Sequence, residues 1–187
     1  MTNQKKALVI FGSPHKDGFT ASICNYLINH MQKYDADIVN AFESNFRPCI
    51  DCKKCTYSKS CKFSDMDQFD LLFRRSELII IASPLYNFSF PAPLKSIIDR
   101  FQRYYNEKYY LNSILPKKSA ILILTCGREN NNKWIDIFKS QTNILLKSIN
   151  IHLIHTIHLK NTDNLKSGID NLPQNVKINI NHIAQNL

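Results

Sequence analysis

The stretch that decides the fold is "ALVIFGSPHKDGFTAS", residues 7–22. Five apolar residues in a row (7–11), bounded at once by Gly12-Ser13-Pro14, have the length of a strand buried on both faces. From Thr20 the period changes. Cys24, Leu27, Ile28 and Met31 recur at the spacing of one helix face, so a strand runs through a tight loop directly into a helix.

The same unit repeats outward. "ADIVNAF" (36–42), "ELIIIAS" (77–83), "SAILILT" (119–125) and "INIHLIHTIHL" (149–159) read as further strands. Between them lie helical stripes. Asp65 is placed to cap a helix carrying Met66, Phe69, Leu72 and Phe73. "PAPLKSIIDRFQRYY" (91–105) reads as one helix with proline in its first turn. Trp134, Phe138, Leu145 and Ile149 mark another, and the tail after Pro173 also favours a helix. Doubly buried strands separated by helices predict a three-layer α/β/α fold, a doubly wound parallel sheet of five strands. We expect one domain over 1–187, with a cysteine-rich insertion at 43–64. In such a sheet ligands bind beyond the carboxyl ends of the strands, so the loops after the strands are the places to search.

Composition narrows the classes. Hydrophobic residues make up 44% and charged residues 21% of 187, which is enough for a core without disulfide or metal staples. No apolar run is long enough for a membrane span, and "MTNQKKALVIFGSPHKDG" does not read as a cleavable export signal, so a reducing cytoplasm is the expected compartment. The net charge of +9 suits anionic partners, but the basic residues are scattered in short pairs such as Lys53-Lys54, Arg74-Arg75 and Lys117-Lys118. That pattern favours a solvated basic surface over a nucleic-acid groove. The run "NNN" at 130–132 reads as compositional bias.

Three strand-end loops carry chemistry. "GSPHKDGFTAS" (12–22) has hydroxyls at Ser13, Thr20 and Ser22, a glycine at 18, and His15 and Lys16 beside the start of a helix. A helix N-terminus with flanking hydroxyls is a phosphate cradle; the alternative is a plain capping loop. The residues match neither a P-loop nor a dinucleotide G-x-G-x-x-G. "SPLYNFSFPAPLK" (83–95) sets Tyr86, Phe88 and Phe90 around Asn87 on a proline-stiffened path, which suits a flat ring system; Phe90 reads better as core. "TCGRENNN" (125–132) offers Gly127 for close backbone approach, with Cys126 a bystander rather than a nucleophile.

A fourth segment stands apart. Cys49, Cys52, Cys55 and Cys61 have the spacing C-x2-C-x2-C-x5-C. Three readings stay open. Four thiolates can hold a [4Fe–4S] cluster, with Lys53, Lys54, Lys59 and Lys62 offsetting its charge. Zinc or a disulfide is second, although zinc more often sits between two separated C-x2-C pairs. Free thiols in a loop are third. His152, His155 and His158 do not converge on a strand: alternation puts His152 and His158 on one face and His155 on the other.

"GSPHKDGFT", then the cysteine run, then "SPLYNFSFPAPLKSIIDR" resemble, in that order, the NAD(P)H-dependent FMN reductases of the flavodoxin-like superfamily, and among them the iron–sulfur flavoprotein branch. The likeness is good over residues 6 to 130 and weak beyond. It implies a flavodoxin-like fold, FMN as cofactor and NAD(P)H as co-substrate. It assigns Ser13, His15, Gly18, Thr20 and Ala21 to the FMN phosphate, with Phe19 contributing its backbone amide where the family usually has a small polar residue. It assigns Pro84, Leu85, Tyr86, Asn87 and Phe88 to the flavin ring, and Thr125, Cys126 and Gly127 to the ring or ribityl chain. It gives Cys49, Cys52, Cys55 and Cys61 as cluster ligands and names no side-chain acid or base. The implied partners are a small-molecule electron acceptor or a ferredoxin-like donor, with no nucleic acid and no membrane. The implied assembly is a homodimer or homotetramer. The competing readings are a ferredoxin-linked electron-transfer module without pyridine-nucleotide activity, and a non-catalytic fold with structural zinc.

Overall fold

The computed structural model describes residues 4–128 and 132–187. Asn130 and Asn131 of the asparagine run lie outside the described residues. Five strands, β1 (Lys5–Phe11), β2 (Tyr34–Asn40), β3 (Leu78–Pro84), β4 (Lys118–Thr125) and β5 (Ile151–Leu159), form one sheet in the order β2-β1-β3-β4-β5. Every pairing is parallel. This is the doubly wound order of the flavodoxin-like fold, whose switch point lies between β1 and β3.

The period-2 alternation of the inner strands sorts the helices into two layers. Ala7, Val9, Ile80 and Ile123 point to the face covered by α1 (Phe19–His30) and α6 (Gln174–Gln185). Leu8, Ile10, Ile81 and Leu122 point to the other face. That face is covered by α2 (Asp67–Arg75), α3 (Ala92–Asp99), α4 (Gln102–Tyr109) and α5 (Asn132–Ser148). The three inner strands are fully buried over most of their length, which is why they read as unbroken apolar runs. Gly12 ends β1 where α3 crosses closely: a β-carbon there would stand 2.5 Å from Leu94 Cδ2.

Four local expectations are corrected. The second strand ends at Asn40 and not at residue 42, and begins earlier, because β2 is an edge strand whose residues are only half-buried. Asp65 does not cap α2. The N-cap is Met66, with no side-chain bond, and Asp65 instead accepts from the Arg47 N–H at 2.8 Å and pairs with Arg100. The helix expected over 91–105 breaks into α3 and α4. Arg100, Phe101, Arg103 and Tyr104 there bond to carbonyls three residues back, the tighter 3₁₀ pattern. Finally, the register of β5 slips beside Ala120/Ile121, leaving Ile154 as an extra residue. A bulge reverses the alternation. His155 therefore faces His182 of α6, whereas His158 lies near Asp136 and Lys139 of α5, so His152 and His158 do not share a face. Burial lowers the pKa of both His155 and His158.

Candidate functional site

A cleft of about 320 Å³ opens at the carboxyl ends of β1, β3 and β4, at the switch point. One wall is the start of α1. Gly18 is its N-cap in extended backbone (φ −75°, ψ 179°) with no side-chain cap bond. The first i→i−4 bond runs from Ser22 N–H to Gly18 C=O at 2.9 Å, so the amides of Phe19, Thr20 and Ala21 precede the helical ladder. Together with the helix dipole they form an anion-binding end. Ser13 is buried and its Oγ accepts from His15 N–H at 3.2 Å, which holds the loop in its turn. Thr20 and Thr125, both buried, share a hydroxyl hydrogen bond of 2.7 Å, tying the phosphate-loop candidate to the end of β4. Ala21 lines instead a neighbouring groove beside β2 and is not among the residues of the cleft. Lys16 is drawn to the same groove by Glu43.

The facing wall is Pro84, Leu85 and Tyr86, with Leu85 N–H held by Thr125 C=O at 2.8 Å. The chain then reverses. Tyr86 and Ser89 exchange two backbone bonds of 3.0 Å around Asn87 and Phe88, both left-handed at φ 50° and 60°. This is the two-residue hairpin turn that wants positive φ at both centres, a conformation common for Asn and costly for Phe. Asn87 and Phe88 sit at the tip rather than in the cleft wall. Phe88 is 58% exposed and packs on Trp134 with ring centroids 4.9 Å apart. Of the residues expected at the flavin, Ser13, His15, Gly18, Phe19, Thr20, Pro84, Leu85, Tyr86, Thr125, Cys126 and Gly127 therefore share one cleft.

Two lining residues escaped sequence reading. Thr162 and Asp163, just after β5, bond through their N–H groups to Cys126 and Gly127 carbonyls, each at 3.1 Å. A side chain at Gly127 would collide with the Asp163 carboxylate. Position was the only available signal: they follow a strand end, as every other lining segment does.

The cysteine segment builds a second cavity, of about 390 Å³, lined by all four of Cys49, Cys52, Cys55 and Cys61. None is disulfide-bonded. Among the described residues no three His, Cys, Asp or Glu side chains stand close enough to grip one metal ion. The opposite wall comes from the α3–α4 junction and α4. Arg100, 3% exposed, donates to the carbonyls of Arg47 (3.3 Å) and Phe63 (3.1 Å) and pairs with Asp65. Arg103, 7% exposed, donates to Lys59 C=O at 2.9 Å and pairs with Asp70 at 3.2 Å. Asn106 donates to Cys55 Sγ at 3.1 Å. Arg100 Nε and Arg103 Nε and Nη1 are buried without a partner. Two buried guanidinium side chains lining the same cavity as four thiols, with N–H atoms to spare, fit an anionic, thiolate-ligated group. The sequence reading missed these three residues because they pair with positions 35 to 53 residues away. Lys53 and Lys59, expected to balance a cluster, are partly committed to Asp51 and Glu107.

A five-stranded doubly wound parallel sheet with a cleft and an uncapped helix end at its switch point defines a protein of the flavodoxin-like class. The chain belongs to the NADPH-dependent FMN reductase family, whose model matches residues 5–139. It is 28% identical over 138 residues to an iron-sulfur flavoprotein of Clostridioides difficile, covering 71% of this chain and 59% of that protein. It is 28% identical over 102 residues to an iron-sulfur flavoprotein of Archaeoglobus fulgidus, covering 53% and 46%. The chain thus spans about half the length of the curated relatives it matches. Among solved structures, the NAD(P)H:quinone oxidoreductase from Methanothermobacter marburgensis superposes with a TM-score of 0.77 at 13% identity, over 98% of both chains. An FMN-dependent NADH-azoreductase from Bacillus anthracis, in complex with FMN, gives 0.67 at 13%, over 98% of this chain and 99% of that one. At these identities the structural likeness is one of fold.

Proposed function

We propose that this chain is an FMN-dependent NAD(P)H oxidoreductase that reduces a small-molecule acceptor, and that its cysteine cavity holds a [4Fe–4S] cluster. The observation that carries the first part is the open N-terminus of α1 forming the wall of the switch-point cleft. The amides of Phe19, Thr20 and Ala21 and the loop of Ser13, His15 and Gly18 would bind the phosphate, with Thr20 held in place by Thr125. Pro84, Leu85 and Tyr86 would wall the ring, Tyr86 by stacking, with Asn87 at the turn for amide contacts. Thr125, Cys126 and Gly127 would meet the ring or ribityl chain, where the lack of a side chain at Gly127 leaves room. Bound FMN would supply hydride transfer, accepting two electrons from NAD(P)H and passing them on. The exposed Phe88–Trp134 pair offers a flat acceptor an aromatic surface beside the cleft.

Cys49, Cys52, Cys55 and Cys61 would ligate the cluster, which would supply one-electron transfer. Its support is the chemistry of the donor set, the orphaned Arg100 and Arg103 atoms, and the names of the relatives. A second reading, a module reduced by a ferredoxin-like donor without pyridine-nucleotide activity, is favoured by one observation. The cavity has Cys49 and Cys52 at the surface on a chain of net charge +9, which would attract an acidic protein. A homo-oligomer is supported by the exposed apolar stripe of α5, Trp134, Ile137 and Ile144. No helix among the described residues is long and apolar enough to cross a membrane, and the free thiols suit a reducing cytoplasm.

The test is an absorption spectrum of protein purified without oxygen, with iron, sulfide and zinc assays on the same sample, followed by NADH and NADPH oxidation. Flavin bands, an iron–sulfur shoulder and turnover of reduced nicotinamide are expected. Flavin without iron would overturn the cluster. Flavin and iron without nicotinamide oxidation would transfer the conclusion to the electron-transfer module. No flavin after adding FMN would overturn the whole reading.

A further inference from the structure

We infer that Asn106 and Arg103 set the reduction potential and the retention of the group in the cysteine cavity; this rests on the cluster reading above. The residues 100, 103 and 106 project toward one side of the α3–α4 junction, and all three reach the cysteine loop. Arg100 holds the loop before Cys49, at Arg47, and after Cys61, at Phe63. Arg103 holds it at Lys59, between Cys55 and Cys61. The loop is thus pinned at points bracketing the thiols by a wall that belongs to the core of the molecule.

Anchoring does not use all the donors. Arg103 spends Nη2 on Lys59 and Asp70, and its Nε and Nη1 remain buried and unpartnered on a residue lining the cavity. Asn106 is 3% exposed, and its amide is oriented by a bond from Gln102 Nε2 to its Oδ1 at 3.0 Å. That leaves its Nδ2–H₂ facing Cys55 Sγ. An N–H donor on a ligating thiolate stabilises the more negative, reduced state of a cluster and raises its potential. A cationic fork in the same buried wall acts in the same direction. Asn106 and Arg103 are therefore positioning and tuning residues, acting through the sulfur ligands.

The experiment uses the full chain, purified without oxygen, as wild type, Asn106→Leu, Asn106→Asp and Arg103→Lys. The cluster's one-electron couple is titrated with dithionite and followed by electron paramagnetic resonance. Iron loss to a chelator is timed, and FMN content and melting temperature are recorded. The expected midpoint order is wild type, then Asn106→Leu, then Asn106→Asp most negative, because the last replaces a donor by an acceptor with charge. Arg103→Lys, which keeps the charge but loses the fork, should lower the midpoint and release iron about tenfold faster. FMN content should stay as in wild type. Iron-loaded wild type with variants of unchanged midpoint and iron retention would overturn this inference and leave the cluster standing. Wild type without iron would overturn both. A drop in melting temperature with no ordering of midpoints would reduce the wall to a structural role and equally overturn the inference.

Discussion

Phe88 is held in left-handed backbone at φ 60° and still exposes 58% of its surface. The conformation costs roughly 1–2 kcal/mol for a residue with a β-carbon, and stacking on Trp134 returns about 0.5–1.5 kcal/mol. F88G would give the Asn-Gly pair that such turns prefer. We expect its melting temperature to stay near wild type while KM for a flat quinone rises several-fold and KM for the reduced nicotinamide does not. An unchanged quinone KM would remove the aromatic tip from acceptor binding. Thr20 gives a cleaner case. T20V strips a hydroxyl bonded to Thr125 and, on our reading, one donor to phosphate. A hydrogen bond to a charged group contributes about 1.5–3 kcal/mol, so FMN should bind at least tenfold more weakly by fluorescence titration, with T20S close to wild type. Much of this candidate site was legible because its residues follow buried strands, and a doubly wound sheet binds ligands beyond the carboxyl ends of its strands. The left-handed turn at Phe88 was not legible because residue type says nothing of turn handedness, and Thr162 and Asp163 were not seen because nothing in their own chemistry marks them.

At the level of the element, the junction of α3 and α4 shows where periodicity stops informing. Leu94, Ile97, Ile98, Phe101 and Tyr104 form one buried stripe across it, so the apolar pattern continues through a break in the α-ladder. What the break serves is long-range: Arg100 reaches Asp65, 35 residues earlier, which sequence reading assigned to a helix cap. Burial tends to raise the Asp65 carboxyl, but the Arg47 N–H and the Arg100 guanidinium outweigh it and hold the pKa below the usual value. A carboxyl depressed in the folded state contributes its full stabilisation above its unfolded pKa, about 3.9. That contribution is lost as pH falls through the lower folded value. D65N should therefore cost about 3 kcal/mol near pH 7, since it leaves the buried Arg100 unpaired, and the gap from wild type should narrow below about pH 4. Urea denaturation at the two pH values measures this; a gap independent of pH would mean that packing, not charge, makes the anchor.

For the whole molecule, the two faces of the sheet were readable from the unbroken apolar runs of β1, β3 and β4, whereas the strand order became known only through pairing. The parity change at Ile154 could not be read, since one inserted residue leaves composition and period almost untouched. The exposed stripe of α5 makes a claim about assembly. Ile144 is 70% exposed and Ile137 51%, and I144E should convert an oligomer to monomer in sedimentation velocity without lowering flavin content. A wild-type monomer would show that the stripe is simply bare. Trp134 belongs to the same stripe and is the chain's single tryptophan. Because its ring rests on Phe88, at the tip of the loop that walls the candidate cleft, emission excited beyond the absorption of the eight tyrosines comes from one place beside that cleft. The molecule therefore carries its own optical probe: each arrival of flavin, nicotinamide or acceptor can be timed in stopped flow from native fluorescence, with no label attached.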